Sequence, residues 1–123
     1  MQRSTYKLFD YLDKNPQPKL ELDVNSNFGG KPKQLEKFTD NVNNLLTNKK
    51  IRRFKLFTSI DTWGKRAEYI RDGLDINVFE RNLDYFMKNT TAPVTFMITF
   101  NIFCVTTFQT LLEKILEWRE KYN

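Results

Sequence analysis

The stretch 54-FKLFTSIDTWGKRAEYIR-71 determines how we interpret the rest of this 123-residue chain. It opens as an apolar run that favours a β-strand, and the run ends in the polar residues Ser59 and Asp61. A turn over residues 62–64 follows, and Arg71 then supplies a guanidinium group. In α/β folds, ligands bind at the carboxyl ends of parallel strands. We therefore expect Ser59, Asp61 and Arg71 to border a site for a small polar ligand.

Hydrophobic periodicity predicts an initial helix and three strand–loop–helix units. The pattern predicts helices over 4–14 and 32–48, a third helix capped by Asp75 and a fourth capped by Thr106 or Thr107. It predicts strands over 20–24, 54–60 and 94–100. The run 54–60 is nearly continuously apolar, which is typical of a strand that is covered on both faces.

Strands that alternate with helices predict an α/β fold with parallel strands and right-handed crossovers. We expect three parallel βα repeats preceded by a helix, as one unit spanning residues 1–123. Three strands form a thin sheet for this much apolar surface, so both sheet edges should be apolar and uncovered. The chain is therefore expected to be a slice of a larger barrel or to need a partner chain, and in isolation it should associate.

Composition excludes several classes of site. The chain has one cysteine, Cys104, and no histidine, which excludes a disulfide framework, a His/Cys metal site and a histidine-based triad made by this chain alone. The net charge is +5, and the densest basic run is 49–53. That run could bind nucleic acid, but a solvated helix end is the favoured interpretation because there is only one short cluster. No apolar run is long enough for a membrane span and no signal peptide is visible, so we expect a cytoplasmic protein.

Polar residues follow each predicted strand. Asn27 follows the first strand, Ser59 and Asp61 the second, and Asn101 the third. In a parallel sheet these three ends lie on one rim, where Arg71 could bind a carboxylate through two hydrogen bonds. The alternative is that Asn, Ser and Asp follow strands simply because they favour turns and caps.

The segments SID (59–61) and AEYIRDGLD (67–75) resemble the fourth strand and following loop of radical S-adenosylmethionine (SAM) enzymes, especially those with a SPASM or twitch auxiliary domain. The polar exit at 25–27 resembles the end of that family's third strand, and 96–101 resembles its fifth strand. Residues 4–14 resemble the helix after its second strand. The resemblance implies the central part of a partial (β/α)6 barrel, from helix two to helix five.

This resemblance also implies roles for individual residues. Ser59 would bond the ribose or methionyl portion of SAM, and Arg71 its methionyl carboxylate, while Asn27, Asp61 and Asn101 would line the rim. The full enzyme would generate a 5′-deoxyadenosyl radical to modify a peptide, a protein or a small molecule.

The chain departs from the family in its cysteines. The CxxxCxxC motif that holds the [4Fe–4S] cluster is absent, as is a cysteine-rich auxiliary domain, so the cluster belongs only to the full-length enzyme. We expect a fragment that is inactive alone and has the rest of the barrel as its partner. The alternative function is a non-catalytic α/β module that pairs with another chain through its open sheet edges. A nucleic-acid-binding domain is disfavoured, because aromatic residues do not interleave with the basic run.

Overall fold

The computed structural model describes residues 3–122, so residues 1, 2 and 123 of the predicted unit lie outside it. Its elements are α1 (Arg3–Lys14), β1 (Gln17–Asn25), α2 (Pro32–Thr47), β2 (Ile51–Ser59), α3 (Lys65–Ile70), α4 (Ile76–Asn89), β3 (Val94–Met97), a 3-10 turn (Ile102–Cys104) and α5 (Phe108–Tyr122).

The three strands form one parallel sheet in the order β1-β2-β3. Leu22 lies beside Phe54 in the first pair, and Leu56 lies beside Val94 in the second. Chain order and spatial order are therefore the same. The predicted α/β fold with parallel strands is confirmed, and neither strand pair of the described residues is antiparallel.

The helices α1, α2 and α5 pack against the same face of this sheet. Phe9 of α1 and Phe38 of α2 both contact Phe54 of β2, with ring centroids 6.2 and 6.0 Å apart. On the neighbouring strand, Phe96 stacks on Trp118 of α5 at 5.6 Å. The strand register aligns the side chains of Phe54 and Phe96 on one face, because side chains two residues apart on a strand point the same way.

The other face of the sheet is left partly open by the described residues. Arg53 is exposed, and Lys55, Phe57 and Ser59 are only half-buried. The expectation that β2 is covered on both faces is therefore wrong. Strand alternation explains the difference, because every second residue of the run 53–59 falls on this open face and two of the four are cations.

The first strand is longer and more polar than its sequence pattern predicts. It begins at Gln17, and its register with β2 is irregular between Gln17 and Glu21. The expectation of an apolar outer edge is wrong for β1, because Pro18, Lys19 and Asp23 are exposed along it. Charged side chains and proline on an edge strand oppose unspecific pairing with other chains.

The carboxyl side of the sheet also departs from the predicted pattern. Strand β3 ends at Met97 and not at residue 100. The N–H of Thr99 donates to the Asp61 side chain at 2.9 Å, so it does not continue the backbone pairing with β2. Helix α3 and the 3-10 turn occupy segments for which no element is predicted. The Asp75 cap of α4 is confirmed, since its carboxylate accepts the N–H groups of Asn77 and Val78.

No helix within residues 3–122 is both long enough and apolar enough to cross a membrane.

Candidate ligand-binding site

A groove of about 750 Å³ lies at the carboxyl ends of β1 and β2, beneath the amino-terminal half of α1. Asn27, Ser59 and Arg71 all border it, together with Asn25 and Ser26. Three of the five predicted site residues are therefore brought to one groove. Parallel pairing produces this arrangement, because the two strands end on the same side of the sheet.

Arg71 is held in place by Asp61. Its Nε and Nη2 donate to the two carboxylate oxygens at 2.9 and 3.1 Å. The Asp61 side chain is only 5 % exposed, whereas that of Arg71 is 36 % exposed and reaches the groove. Asp61 is therefore the buried partner that positions the Arg71 guanidinium. The acid Glu68 instead accepts the N–H of Ile76 at 3.0 Å and caps the start of α4.

The pairing with Asp61 leaves Arg71 with donors for a ligand. A guanidinium group carries five N–H donors in a fixed fork, and Asp61 receives two of them. The remaining donors can bind a second carboxylate, although the edge formed by Nε and Nη2 is already used. The arrangement suits an anionic group that approaches from the exposed side of the guanidinium.

The loop after β1 forms the opposite wall of the groove. Ser26 Oγ accepts the N–H of Phe28 at 3.2 Å, and Asn27 Oδ1 accepts the N–H of Gly29 at 3.1 Å. Both side chains stabilise a turn, as the alternative interpretation of polar strand exits predicts. The Asn27 amide nitrogen is not used by this turn and can donate to a ligand.

Phe28 and Asn82 fix this loop, and sequence patterns alone do not identify their role. Phe28 has a φ of 51°, in the left-handed region that bulky residues rarely adopt, and its side chain is buried against Phe79 and Phe86 of α4. The buried Asn82 donates to the carbonyl oxygens of Phe28 at 2.6 Å and of Gly30 at 2.8 Å. One signal was available, because Asn82 interrupts the apolar stripe of α4.

Asn101 lies away from the groove and completes a different structure. Its Oδ1 accepts the N–H of Phe103 at 2.9 Å, and its Nδ2 donates to the Thr99 carbonyl at 3.1 Å. Asn101 therefore caps the 3-10 turn. The structure does not bring it to the groove with Asn27, Ser59 and Arg71.

The donors of this site suit an organic ligand better than a metal. Within residues 3–122, no group of three or more Cys, Asp or Glu side chains is arranged to hold a metal ion. The single thiol, Cys104, is buried beside the Thr99 carbonyl. Hydroxyl, amide and guanidinium groups on one groove can instead hydrogen-bond sugar, amino and carboxylate groups.

Comparison of this chain with protein-family models, with curated proteins and with solved structures gives no match.

Proposed function

We propose that this chain is a segment of a radical SAM enzyme and supplies part of its SAM-binding rim. The observation that carries the proposal is the convergence of Asn27, Ser59 and Arg71 on one groove at the carboxyl end of a parallel sheet. The order β1-β2-β3 with α1, α2 and α5 on one face supports it further. That arrangement is what consecutive repeats of a (β/α) barrel have, with the open face turned toward the barrel interior.

The residues at the groove fit SAM in part. Arg71 would bind the methionyl carboxylate, and Asp61 would keep the guanidinium oriented toward the groove. The hydroxyl of Ser59 would bond the ribose or the methionyl portion, and the Asn27 amide would donate from the opposite wall. Asn101 is not part of the proposed SAM site, because its side chain caps the 3-10 turn.

The described residues do not fit the [4Fe–4S] cluster, which requires three thiolates, because the chain has one cysteine and that cysteine is buried. The cluster would have to come from the remainder of the enzyme barrel. In the complete enzyme, the chemistry supplied by SAM and the cluster is hydrogen abstraction from a peptide, protein or small-molecule substrate. This chain would bind and orient, and alone it would be inactive.

Calorimetric titration of SAM into the chain tests the proposal. Arg71→Ala should weaken binding by about 2 kcal/mol, and Ser59→Ala by about 1 kcal/mol. Because Arg71→Ala also leaves Asp61 without its partner, Arg71→Lys provides a second variant that keeps the positive charge but not the fork. Asn101→Ala is the matched control and should leave the affinity unchanged. No SAM binding to the wild-type chain, or equal binding by all four variants, would contradict the proposal.

A second candidate function is a non-catalytic module that pairs with another chain through its sheet edges. The observation that favours it is the open outer edge of β1, a strand that pairs only with β2 within the described residues. The groove follows this edge from Leu22 to Asn27, beside the partly exposed Leu8 of α1. Analytical ultracentrifugation tests this candidate, since a monodisperse monomer at high concentration would count against it.

A further inference from the structure

Five large apolar side chains are exposed on two neighbouring segments, α3 and the chain that follows β3. Ile102 is 81 % exposed and Tyr69 is 79 % exposed, and Phe100, Phe103 and Val105 are each exposed by half or more. We call these five residues the apolar patch. Tyr69 of α3 and Phe103 of the 3-10 turn are in ring contact, with centroids 6.0 Å apart. A cluster of this kind on one surface is typical of an interaction site, whereas scattered exposed hydrophobic residues are not.

The backbone beneath the apolar patch is firmly supported. Asn101 caps the 3-10 turn, and the N–H of Thr107 donates to the Cys104 carbonyl at 3.1 Å. The Cys104 side chain is fully buried and anchors the middle of the turn. Phe100 also packs on Phe108 of α5, with ring centroids 5.0 Å apart. These contacts fix the backbone that carries the patch before any partner binds, which lowers the ordering cost of binding.

The charges beside the apolar patch indicate what kind of partner it fits. Lys65 and Arg66 are both exposed on α3, one turn before Tyr69. Arg66 Nη1 approaches the Phe103 carbonyl at 3.4 Å, which places its cation at the border of the patch. Carboxylates on a partner would complement these two cations. An anionic lipid surface is disfavoured, because basic sites for lipid typically contain 4–8 Lys or Arg residues.

We propose that the apolar patch docks a polypeptide segment that presents large apolar side chains beside one or two carboxylates. Aromatic residues and arginine dominate the energetic centres of protein interfaces, and the patch contains three aromatic rings with Arg66 at its border. Thr99, directly before Phe100, donates its N–H to Asp61, the buried partner of Arg71. The inference goes beyond the proposed function and does not depend on SAM binding.

Selection from a display library of random peptides, with the whole chain as bait, tests this inference. The expected peptides are apolar and acidic in composition. Ile102→Ser should reduce their affinity by about thirtyfold, the effect of losing an interface hot spot. Tyr11→Ser is the control, since Tyr11 is an exposed apolar residue on α1 and outside the apolar patch, and it should change nothing. Replacing both Lys65 and Arg66 by Glu should shift the selection away from acidic peptides.

Three results would overturn the inference. Selection could yield no binders, or binders whose affinity is the same for Ile102→Ser and for the wild type. Alternatively, the chain could float with vesicles of phosphatidylserine and phosphatidylcholine in an Ile102-dependent manner, which would assign the patch to membranes. The titration of SAM into Ile102→Ser separates this inference from the proposed function, because SAM affinity should be unchanged in that variant.

Discussion

Arg71 and Asp61 form a forked ion pair whose carboxylate is almost completely buried. Nε and Nη2 of Arg71 donate at 2.9 and 3.1 Å, and Asp61 Oδ1 also accepts the N–H of Thr99 at 2.9 Å. This one carboxylate therefore ties the end of β2 to the end of α3 and to the exit of β3. An ion pair between two exposed side chains is worth little, but a pair whose carboxylate is buried is costly to break.

Removing the Asp61 carboxylate should destabilise the chain strongly. Asp61→Ala leaves both the guanidinium and the Thr99 N–H without their acceptor, and we expect a loss of about 3 kcal/mol in the free energy of unfolding. Urea denaturation followed by circular dichroism measures it. Asp75→Ala is the matched control, because Asp75 only caps α4 at an exposed position and its loss should cost about 1 kcal/mol. Equal losses in the two variants would show that the buried pair has no special role.

Thr58 and Thr62 are both fully buried threonines with opposite hydrogen-bonding status. Thr58 Oγ1 has no hydrogen-bond partner among residues 3–122, whereas Thr62 Oγ1 lies 2.6 Å from Thr107 Oγ1. We expect Thr58→Val to raise the free energy of unfolding by about 1 kcal/mol, because it removes a buried polar group that is not satisfied. Thr62→Val should lower it by a similar amount. Thermal denaturation of the two variants checks the opposite signs, and destabilisation by Thr58→Val would contradict this account.

The strained loop at Phe28 should depend on Asn82. Asn82→Ala removes both donors to the carbonyls of Phe28 and Gly30, and we expect a loss of about 2 kcal/mol with faster amide exchange at residues 27–30. Hydrogen exchange observed by NMR measures this directly. The exposed Asn77 on the same helix is the control, and Asn77→Ala should leave exchange in the loop as it is in the wild type. Unchanged exchange in Asn82→Ala would mean that the packing of Phe28 alone holds the loop.

Asp13 should make stability dependent on pH at the acid end. Hydrogen bonds from Lys50 Nζ, at 2.6 Å, and from the Asn44 amide lower the pKa of Asp13 below its ordinary value. Because this pKa is lower in the folded chain than in the unfolded chain, the ionised carboxylate stabilises the folded chain at pH values above the ordinary carboxyl pKa. This contribution is lost as the pH falls through the pKa of the folded chain. The melting temperatures of wild type and Asp13→Asn should therefore differ at neutral pH and converge below about pH 4. A constant difference across that range would exclude this linkage.

The order of the elements was predictable because the apolar stripes are long and regular. The pattern of α2 and the Asp75 cap each depend on local chemistry that the sequence displays. The two elements that the sequence pattern did not predict, α3 and the 3-10 turn, are short. They are stabilised by contacts between segments that are distant in the sequence, such as that of Arg66 with the Phe103 carbonyl. We expected both faces of β2 to be covered because its sequence is nearly continuously apolar. Alternate side chains of a strand point to opposite faces, and this places Lys55 and Phe57 on the open face.

The candidate site was predictable only at the level of strand ends. Parallel strands bring Asn27 and Ser59 to one edge, and this follows from topology alone. The burial of Asp61 could not be read from its position, because it depends on Thr99 folding back over the end of β2. Asn101 follows its strand just as Asn27 does, yet its side chain caps the next turn. Both asparagines accept the N–H two residues further on and stabilise a local turn, but only Asn27 also borders the groove.

The central claim is that Asn27, Ser59 and Arg71 form one binding rim for SAM. NMR titration of the isotope-labelled chain with SAM tests it most directly, because each backbone amide and the Arg71 Nε–H report separately. If SAM binds at this rim, saturable shifts are expected at residues 26–28 and 59–61 and at Arg71, with the signals of residues 101–103 unchanged. Shifts confined to residues 101–103, or no saturable shifts at all, would contradict it.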